Sequence, residues 1–387
     1  MSKAHLTYFR VSNFKKFEDL ELTNLGQFNL VVGDNNVGKT SLLEALLVDE
    51  NNPNYSLMNF CKALLFRSLD FSVKYAIEEK NLPTKKTSIT FIHPKENYLS
   101  YYFGQKDIPL ILVQRYNSLN HSIITLVKPI SQNPGGNNLS VRVNLLNTDD
   151  SIGSLNLNKL DFLNETSDFN FEKNINFDLK LIYSLFHGVD LKSHEIPLLS
   201  TAPVSTHELT EGYFKLLDVS RKEKSELINL MRFILEDIED FEIRKINHQE
   251  HLMVGLTGHD EFRPIGLFGE SVTRATYLLL QIARYKGRRL MIDEVDTGIH
   301  HTRLKQFMKT LVQVSDKYEV QLFMTTHSLE CQHAFADALL SEDMAHFQQE
   351  ARNVTLFVNK EGKTAAQTFD FESFRFALET NFETRGG

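Results

Sequence analysis

Apolar positions near the start of the chain alternate with polar ones, and further along they recur at three and four residues. Three short segments, Leu6–Val11, Phe17–Leu22 and Phe28–Val32, have the β-branched and aromatic content and the length of strands. The third runs straight into Gly33-Asp-Asn-Asn-Val-Gly-Lys-Thr40, and Ser41-Leu-Leu-Glu-Ala-Leu-Leu47 then reads as a helix. A second helix is predicted over Tyr55–Leu69.

From Thr87 to Leu146 the pattern changes. Strand-like runs at Thr87–Ile92, Asn97–Phe103, Ile108–Arg115, Ser122–Val127 and Leu139–Leu145 are separated by turn residues, which predicts an antiparallel meander. Residues 147–180, rich in Asn, Asp and Ser, read as a long loop. A helix is predicted over Arg221–Ile238, where Leu227, Leu230, Met231, Ile234 and Ile238 share a face. Strands at Phe241–Ile246 and Leu252–Leu256 lead to the glycine-punctuated Gly266-Leu-Phe-Gly-Glu-Ser271. Beyond it come a helix (Val272–Tyr285), a strand (Arg289–Ile292), a helix (Thr302–Lys317), a strand (Gln321–Met324) and a helix (Leu329–Ala338). A hairpin (Asn353–Val358, Ala365–Phe369) and a helix (Phe371–Leu378) follow. Strands alternating with helices predict a mostly parallel sheet with helical crossovers.

The 387 residues allow two or three units, or one core with a large insertion. Apolar content of 42% with 24% charged residues is that of a globular chain and excludes disorder and collagen-like repeats. With only Cys61 and Cys331, a disulfide framework and a four-thiolate zinc site are excluded. The opening residues have no apolar h-region, and no apolar run approaches the ~20 residues of a membrane helix, so a soluble cytoplasmic protein is expected. A net charge of −8 argues against a chain whose main task is coating nucleic acid, although a local basic patch stays open.

Gly33, Gly38, Lys39 and Thr40 match G-x-x-x-x-G-K-[ST] between a predicted strand and helix. Such a loop offers backbone N–H groups and a helix N-terminus to a β-phosphate, and its lysine spans the β and γ oxygens. The nucleotide-binding candidates are therefore Gly33, Asn35, Asn36, Val37, Gly38, Lys39, Thr40 and Ser41, with Thr40 as a Mg²⁺ ligand. The apolar strand Leu290-Met-Ile ends in Asp293-Glu294, where one carboxylate can hold the metal's water shell and the other can act on an attacking water. Gly269-Glu270-Ser271 opens a predicted helix and suits an anion, while a plain N-cap by Ser271 fits the local sequence equally. His327 follows a second apolar strand, at a place where it could meet a γ-phosphate oxygen.

The order of these motifs resembles the ABC-type ATPases, specifically the RecF/SMC-like branch that contains the OLD-family ATPases. The similar stretches are Asn13-Phe-Lys-Lys-Phe17, Asn29–Ala45, Ile292-Asp-Glu-Val-Asp-Thr-Gly-Ile-His300 and Gln321–Cys331. The resemblance implies Lys39 and Thr40 as Walker A residues, Asp293 as the Walker B aspartate and Glu294 as the catalytic glutamate. It also implies Gly269, Glu270 and Ser271 as the signature, Asp296 as the D-loop acid and His327 as the switch histidine, with ATP and Mg²⁺ as cofactors. Two departures stand out: Ser271 replaces the usual second signature glycine, and no Q-loop glutamine can be placed, Gln105 and Gln114 lying in plausible territory.

The fold implied is an α/β ABC-ATPase head, with a P-loop on a mixed or parallel sheet, and a β-rich and α-helical insertion. Residues 1–70 and 241–387 would form the head and 71–240 the insertion. The resemblance further implies a head-to-tail homodimer around ATP, or a larger assembly of such dimers. The expected function is the control subunit of an anti-phage defence system, of the TOPRIM-less PARIS type, acting through a separate toxin or TOPRIM-type nuclease. The alternative is a RecF-like repair clamp that holds duplex DNA. A transport ATPase at a membrane is disfavoured by the Asn13–Phe17 hairpin pattern.

Residues 328–387 fall short of the ~100–150 of a typical domain, so the effector is expected on another polypeptide. Asp370-Phe-Glu372 looks like a metal-binding acid pair but is read as a helix start. His300-His301 is read as a solvated flank of the D-loop, and Thr84-Lys85-Lys86-Thr87 as a charged turn. For Lys15 and Lys16, nucleotide contact and a solvated hairpin both stay open.

Overall fold

The computed structural model describes residues 5–47, 72–77, 87–92, 110–116, 122–131, 138–148, 198–219 and 221–380. The chain divides into two compact units. One comprises residues 1–24, 40–196 and 357–367, the other residues 25–39, 197–356 and 368–387. Strands are numbered in chain order.

In the first unit, β1 (Leu6–Phe14), β2 (Phe17–Leu22), β4 (Ser72–Ile77), β5 (Thr87–Ile92), β6 (Leu110–Tyr116), β7 (Ser122–Ser131) and β8 (Asn138–Thr148) make one sheet, ordered β2-β1-β6-β7-β8-β5-β4. Each neighbouring pair in it is antiparallel. Phe14 pairs with Phe17, so Lys15 and Lys16 form a two-residue turn, and Lys15 sits at φ 52°. Across the same hairpin Asp19 accepts from Arg10 Nε at 2.7 Å and Ser12 Oγ at 2.8 Å. Because β1 pairs with β6, the N-terminal hairpin and the strands predicted as an insertion form one sheet, and residue 70 is no sheet boundary. The strand expected at Leu139–Leu145 continues to Thr148. Asn97–Phe103, the helix expected over Tyr55–Leu69 and the loop beyond Thr148 lie outside the described residues.

A further sheet, most of whose residues belong to the second unit, is ordered β16-β15-β3-β14-β13-β9. Its strands are β3 (Phe28–Gly33), β9 (Leu198–Leu199), β13 (Arg289–Ile292), β14 (Gln321–Thr325), β15 (Ala351–Val358) and β16 (Thr364–Asp370). β15, β3, β14, β13 and β9 run parallel, as the strand–helix alternation predicts. Every residue of β3, β13 and β14 is buried, as parallel strands covered on both faces must be. Asn29, polar in the middle of β3, is tolerated because its amide bonds Gly26 O at 2.8 Å and Leu322 O at 3.1 Å.

Around this sheet pack α2 (Thr206–Val219), α3 (Arg221–Met231), α4 (Glu270–Arg284), α5 (Leu304–Lys317), α6 (Leu329–Leu339) and α7 (Phe371–Glu379). A small antiparallel sheet, β10 (Ile238–Ile246), β11 (Gln249–Leu256) and β12 (Arg263–Pro264), accompanies them. Leu209, Tyr213, Leu227 and Met231 of α2 and α3 share one hydrophobic core with Phe28, Leu278 and Leu322. These helices, placed by the sequence in the insertion at 71–240, thus belong to the core of the second unit.

The helix predicted to Ile238 stops at Met231. Ile234 N and Leu235 N both bond Met231 O at 3.0 Å, closing a turn, and Ile238 begins β10. Met231, Ile234 and Ile238 are all buried, so a turn followed by a strand reproduced the helical spacing of apolar residues. Further elements carried no sequence expectation, among them β4, the helix α2, β9, β12 and a 3-10 segment at Glu342–Glu350.

Candidate nucleotide-binding and hydrolysis site

Parallel strands end on one edge of their sheet, and chemistry gathers there. The loop after β3 carries Gly33–Lys39, the turn after β13 carries Asp293–Asp296, and the residues closing β14 carry Thr325, Thr326 and His327. β14 lies between β3 and β13, so the histidine segment is flanked by the other two.

Gly33 has φ 139°, and a Cβ there would stand 2.3 Å from Leu356 O, so no other residue fits without moving β15. Asn36 takes the left-handed conformation at φ 63°, which asparagine tolerates better than most residues. Asn35 and Asn36 are exposed, Val37 is buried and Gly38 is half-buried at φ 110°. Lys39 is 6% exposed. Its ammonium donates to Gly33 O at 2.6 Å and Asp34 O at 2.8 Å, and stands 3.3 Å from His327 Nδ1. The helix α1 (Lys39–Ala45) starts at this lysine, two residues earlier than expected. Thr40 and Ser41 lie in its first turn, half-exposed, and count with the first unit.

One strand fixes the acids. Thr325 Oγ1 donates to Asp293 Oδ1 at 2.7 Å and accepts from Glu294 N at 2.8 Å. Thr326 Oγ1 donates to Asp296 Oδ1 at 2.7 Å. Glu294 stands at φ 46°, a strained conformation for a non-glycine residue, and its carboxylate accepts from Thr297 Oγ1 at 3.2 Å.

The signature segment meets the same turn. Gly269, at φ 91°, is the N-cap of α4 and brings no side-chain cap, so the N-cap reading of Ser271 is corrected. Ser271 lies within the first turn, and its hydroxyl donates to Gly298 O. Gly298 is at φ 78°, and a Cβ there would stand 3.1 Å from Glu270 Cγ. Glu270 and Gly269 are exposed, as is Leu267 at 73%.

Several residues were given no role of their own in the sequence reading. Thr325, Thr326 and Thr297 supply the hydroxyls around the acids; the adjacent threonines at the end of an apolar strand were the available signal. Arg274 of α4 is buried and donates to Ser200 O at 2.9 Å. Burial pushes its pKa down, against the pull of Tyr277, Glu270 and Asp293.

The remaining candidates are placed elsewhere. Lys15 forms a buried ion pair with Glu44 of α1 within the first unit, so its hairpin is not simply solvated. Gln114 is fully buried in β6 opposite Phe9, and Gln105 lies outside the described residues. His300 stacks on His301 with ring centroids 4.2 Å apart, and its Nδ1 caps the 3-10 turn at Thr302. Asp370 is the N-cap of α7, accepting from Ser373 N at 2.8 Å, and Glu372 accepts from Arg375 at 3.0 Å.

A phosphate-binding loop, an acid pair and a histidine stand on adjacent parallel strand ends, with a glycine turn beside them, and these are the parts of a P-loop nucleotide site. The chain belongs to the family described as "AAA domain, putative AbiEii toxin, Type IV TA system", which it matches over residues 28–330. It is 21% identical over 349 residues to a Helicobacter pylori protein named "ATP/GTP phosphatase", covering 87% of this chain and 89% of that one. It is 24% identical over 363 residues to the DNA replication and repair protein RecF of Streptococcus gordonii, covering 83% and 92%. Among solved structures, the SMC head domain of Thermotoga maritima is similar at a TM-score of 0.40 and 13% identity, covering 94% of this chain and 99% of that one. The Pyrococcus furiosus Smc head with an extended coiled coil, bound to the C-terminal domain of ScpA, gives 0.41 and 10%, covering 97% and 99%. Among the described residues no helix is long and apolar enough to cross a membrane.

Proposed function

We propose that the chain binds ATP and hydrolyses it, two copies closing head to tail so that the signature turn of one completes the nucleotide site of the other. The observation that supports this reading is the approach of Lys39 to His327 at 3.3 Å, close enough for the two groups to meet one anion. In this reading Gly33 and Asn35–Ser41 cradle the phosphates, Lys39 leaves its loop carbonyls for the β and γ oxygens, and His327 donates to the γ-phosphate. Glu294 orients and deprotonates the attacking water. Thr40 and Asp293 present hard oxygen donors of the type Mg²⁺ prefers, and these would hold it. When bound, the ion neutralises charge developing on the phosphate oxygens. Gly269, Glu270 and Ser271, with Asp296, face the partner copy.

The role we propose is regulatory: control of a separate effector, of the toxin or TOPRIM-nuclease kind, in anti-phage defence. The toxin–antitoxin wording of the family description supports it. So does the assignment of Asp370 and Glu372 to capping and pairing within α7, which commits both acids to structure. Similarity to a RecF protein favours a second reading, an ATP-closed clamp on duplex DNA. Titration of purified protein with labelled duplex, with and without ATP and across salt concentrations, separates the two. ATP-dependent binding that weakens with salt selects the clamp. ATP turnover without DNA affinity, and without plasmid cleavage in Mg²⁺ or Mn²⁺, selects the regulator. Absence of both nucleotide binding and turnover overturns the whole reading.

A further inference from the structure

We propose that Thr325 is a positioning residue for hydrolysis, fixing the Asp293 carboxylate and the backbone of Glu294 through its single hydroxyl. This rests on the ATP-hydrolysis reading above and assigns a role to a residue to which the sequence reading gave none.

A hydroxyl has one proton to give and two lone pairs to receive with. The amide of Glu294 can only donate, and it reaches Thr325 Oγ1 at 2.8 Å. The hydroxyl proton therefore goes to Asp293 Oδ1 at 2.7 Å, and the direction of both bonds is settled by chemistry. The carbonyl of Thr325 accepts from Val295 N at 2.9 Å, so one fully buried residue holds three consecutive residues of the acidic turn.

Two consequences follow for the chemistry. With Oδ1 bonded to the threonine, the Asp293 carboxylate is restrained in rotation, which would orient it for a metal held there. With its amide captured, Glu294 is held at φ 46°, a conformation it would otherwise leave, and its side chain starts from a fixed place. Misplacement of a catalytic group by about 1 Å can cost on the order of 100-fold in rate, so such a clamp matters to turnover. His327 follows two residues later, which ties the acids to the same strand end that presents the histidine. Thr326 repeats the device one residue on, at Asp296.

The test uses Thr325→Val, which keeps shape and removes the hydroxyl, and Thr325→Ser, which keeps the hydroxyl. Three measurements are made on the full chain: ATP turnover, Mn²⁺ affinity in the presence of a non-hydrolysable ATP analogue, and residue-resolved amide hydrogen exchange. For Thr325→Val we expect kcat to fall at least ten-fold with KM for ATP within two-fold, and the Mn²⁺ dissociation constant to rise at least five-fold. The Glu294 amide should lose its protection, while Val295, bonded to a backbone carbonyl, keeps its own. Thr325→Ser should restore all three. Thr325→Val with kcat and Mn²⁺ affinity both within two-fold of the parent would overturn the proposal. If Thr325→Val does not fold, exchange in the unaltered protein decides: a protected Glu294 amide supports the clamp and an unprotected one overturns it. A parent that fails to turn over ATP rejects the hydrolysis reading alone, since the exchange measurement still tests Thr325.

Discussion

The Lys39 ammonium and the His327 imidazole stand 3.3 Å apart although 288 residues separate them in sequence. An ammonium has only protons to give, so in a hydrogen bond between the two the His327 nitrogen is the acceptor. Lys39 also donates to two carbonyls of its own loop, at Gly33 and Asp34.

Lys39→Ala should therefore lose binding, and His327→Ala should mainly lose rate. We expect the ATP dissociation constant of Lys39→Ala to rise at least ten-fold, about 1.4 kcal/mol. His327→Ala should keep the dissociation constant within about three-fold while kcat falls more than ten-fold, within the range of a lost transition-state contact. Calorimetry with a non-hydrolysable analogue and a phosphate-release assay separate the two; equal loss of binding in both variants contradicts the division of roles.

Glu294→Gln should bind ATP as the parent does and lower turnover by on the order of 100-fold or more, the usual worth of a general base. The trapped nucleotide should shift the chain to a dimer, seen by light scattering on a sizing column. Unchanged turnover would remove Glu294 from the mechanism.

Ser271 separates two effects. Ser271→Ala removes the bond to Gly298 O and should cost about 1 kcal/mol in stability, leaving nucleotide-dependent dimerisation in place. Ser271→Arg adds bulk and charge on the face proposed to meet the partner's phosphate. It should abolish ATP-dependent dimerisation and turnover while binding by the single chain persists. Turnover at the parent rate in Ser271→Arg would exclude the composite site.

Asp370 gives a pH signature. Its carboxyl is held below the ordinary 3.8 by the backbone and side-chain hydrogen bonds it accepts from Ser373. A depressed value means the cap stabilises the fold above the ordinary pKa and loses that contribution as pH falls through the lowered one. Asp370→Ala should cost about 1 kcal/mol near pH 7. The difference from the parent should shrink below about pH 3. Denaturant melts at both pH values provide the check, and a pH-independent difference rules out the charged cap.

Cys331 is fully buried beside Asp296, and both burial and that carboxylate push its thiol up, so it stays protonated. In a Cys61→Ser background, an aromatic disulfide reagent should label Cys331 only as fast as the protein unfolds. Labelling within seconds in native buffer would show the packing around the D-loop to be open.

Much of the fold was legible because local chemistry dictated it. Arg289–Ile292 and Phe17–Leu22 appear with the bounds their composition indicates, and Thr87–Ile92 does too. The helix predicted to Ile238 failed for a physical reason: apolar spacing of three and four residues is met by a helix and also by turns leading into a strand. Only the pull of partners such as Thr257 N on Asp237 O, at 2.8 Å, decides between them. β9 escaped notice because two residues carry no period, and it exists through its pairing with Met291 and Ile292.

The sequence by itself determined the chemistry: a glycine-rich loop with its lysine, two acids closing an apolar strand, a histidine closing another. The order of charges is local, so it can be read along the chain, whereas the approach of Leu356 O that excludes a Cβ at Gly33 is not. Tertiary structure alone decided which groups meet. Nothing in the sequence says that β14 lies between β3 and β13, and that placement brings His327 to Lys39 and the Thr325 hydroxyl to Asp293. The same holds for Ser271, which by sequence could cap the helix but bonds Gly298 O because α4 packs its first turn on the turn after β13. Hydrogen bonds between distant segments depend on strand order and on ångström-scale packing, and a one-dimensional pattern of apolar and polar residues encodes neither directly.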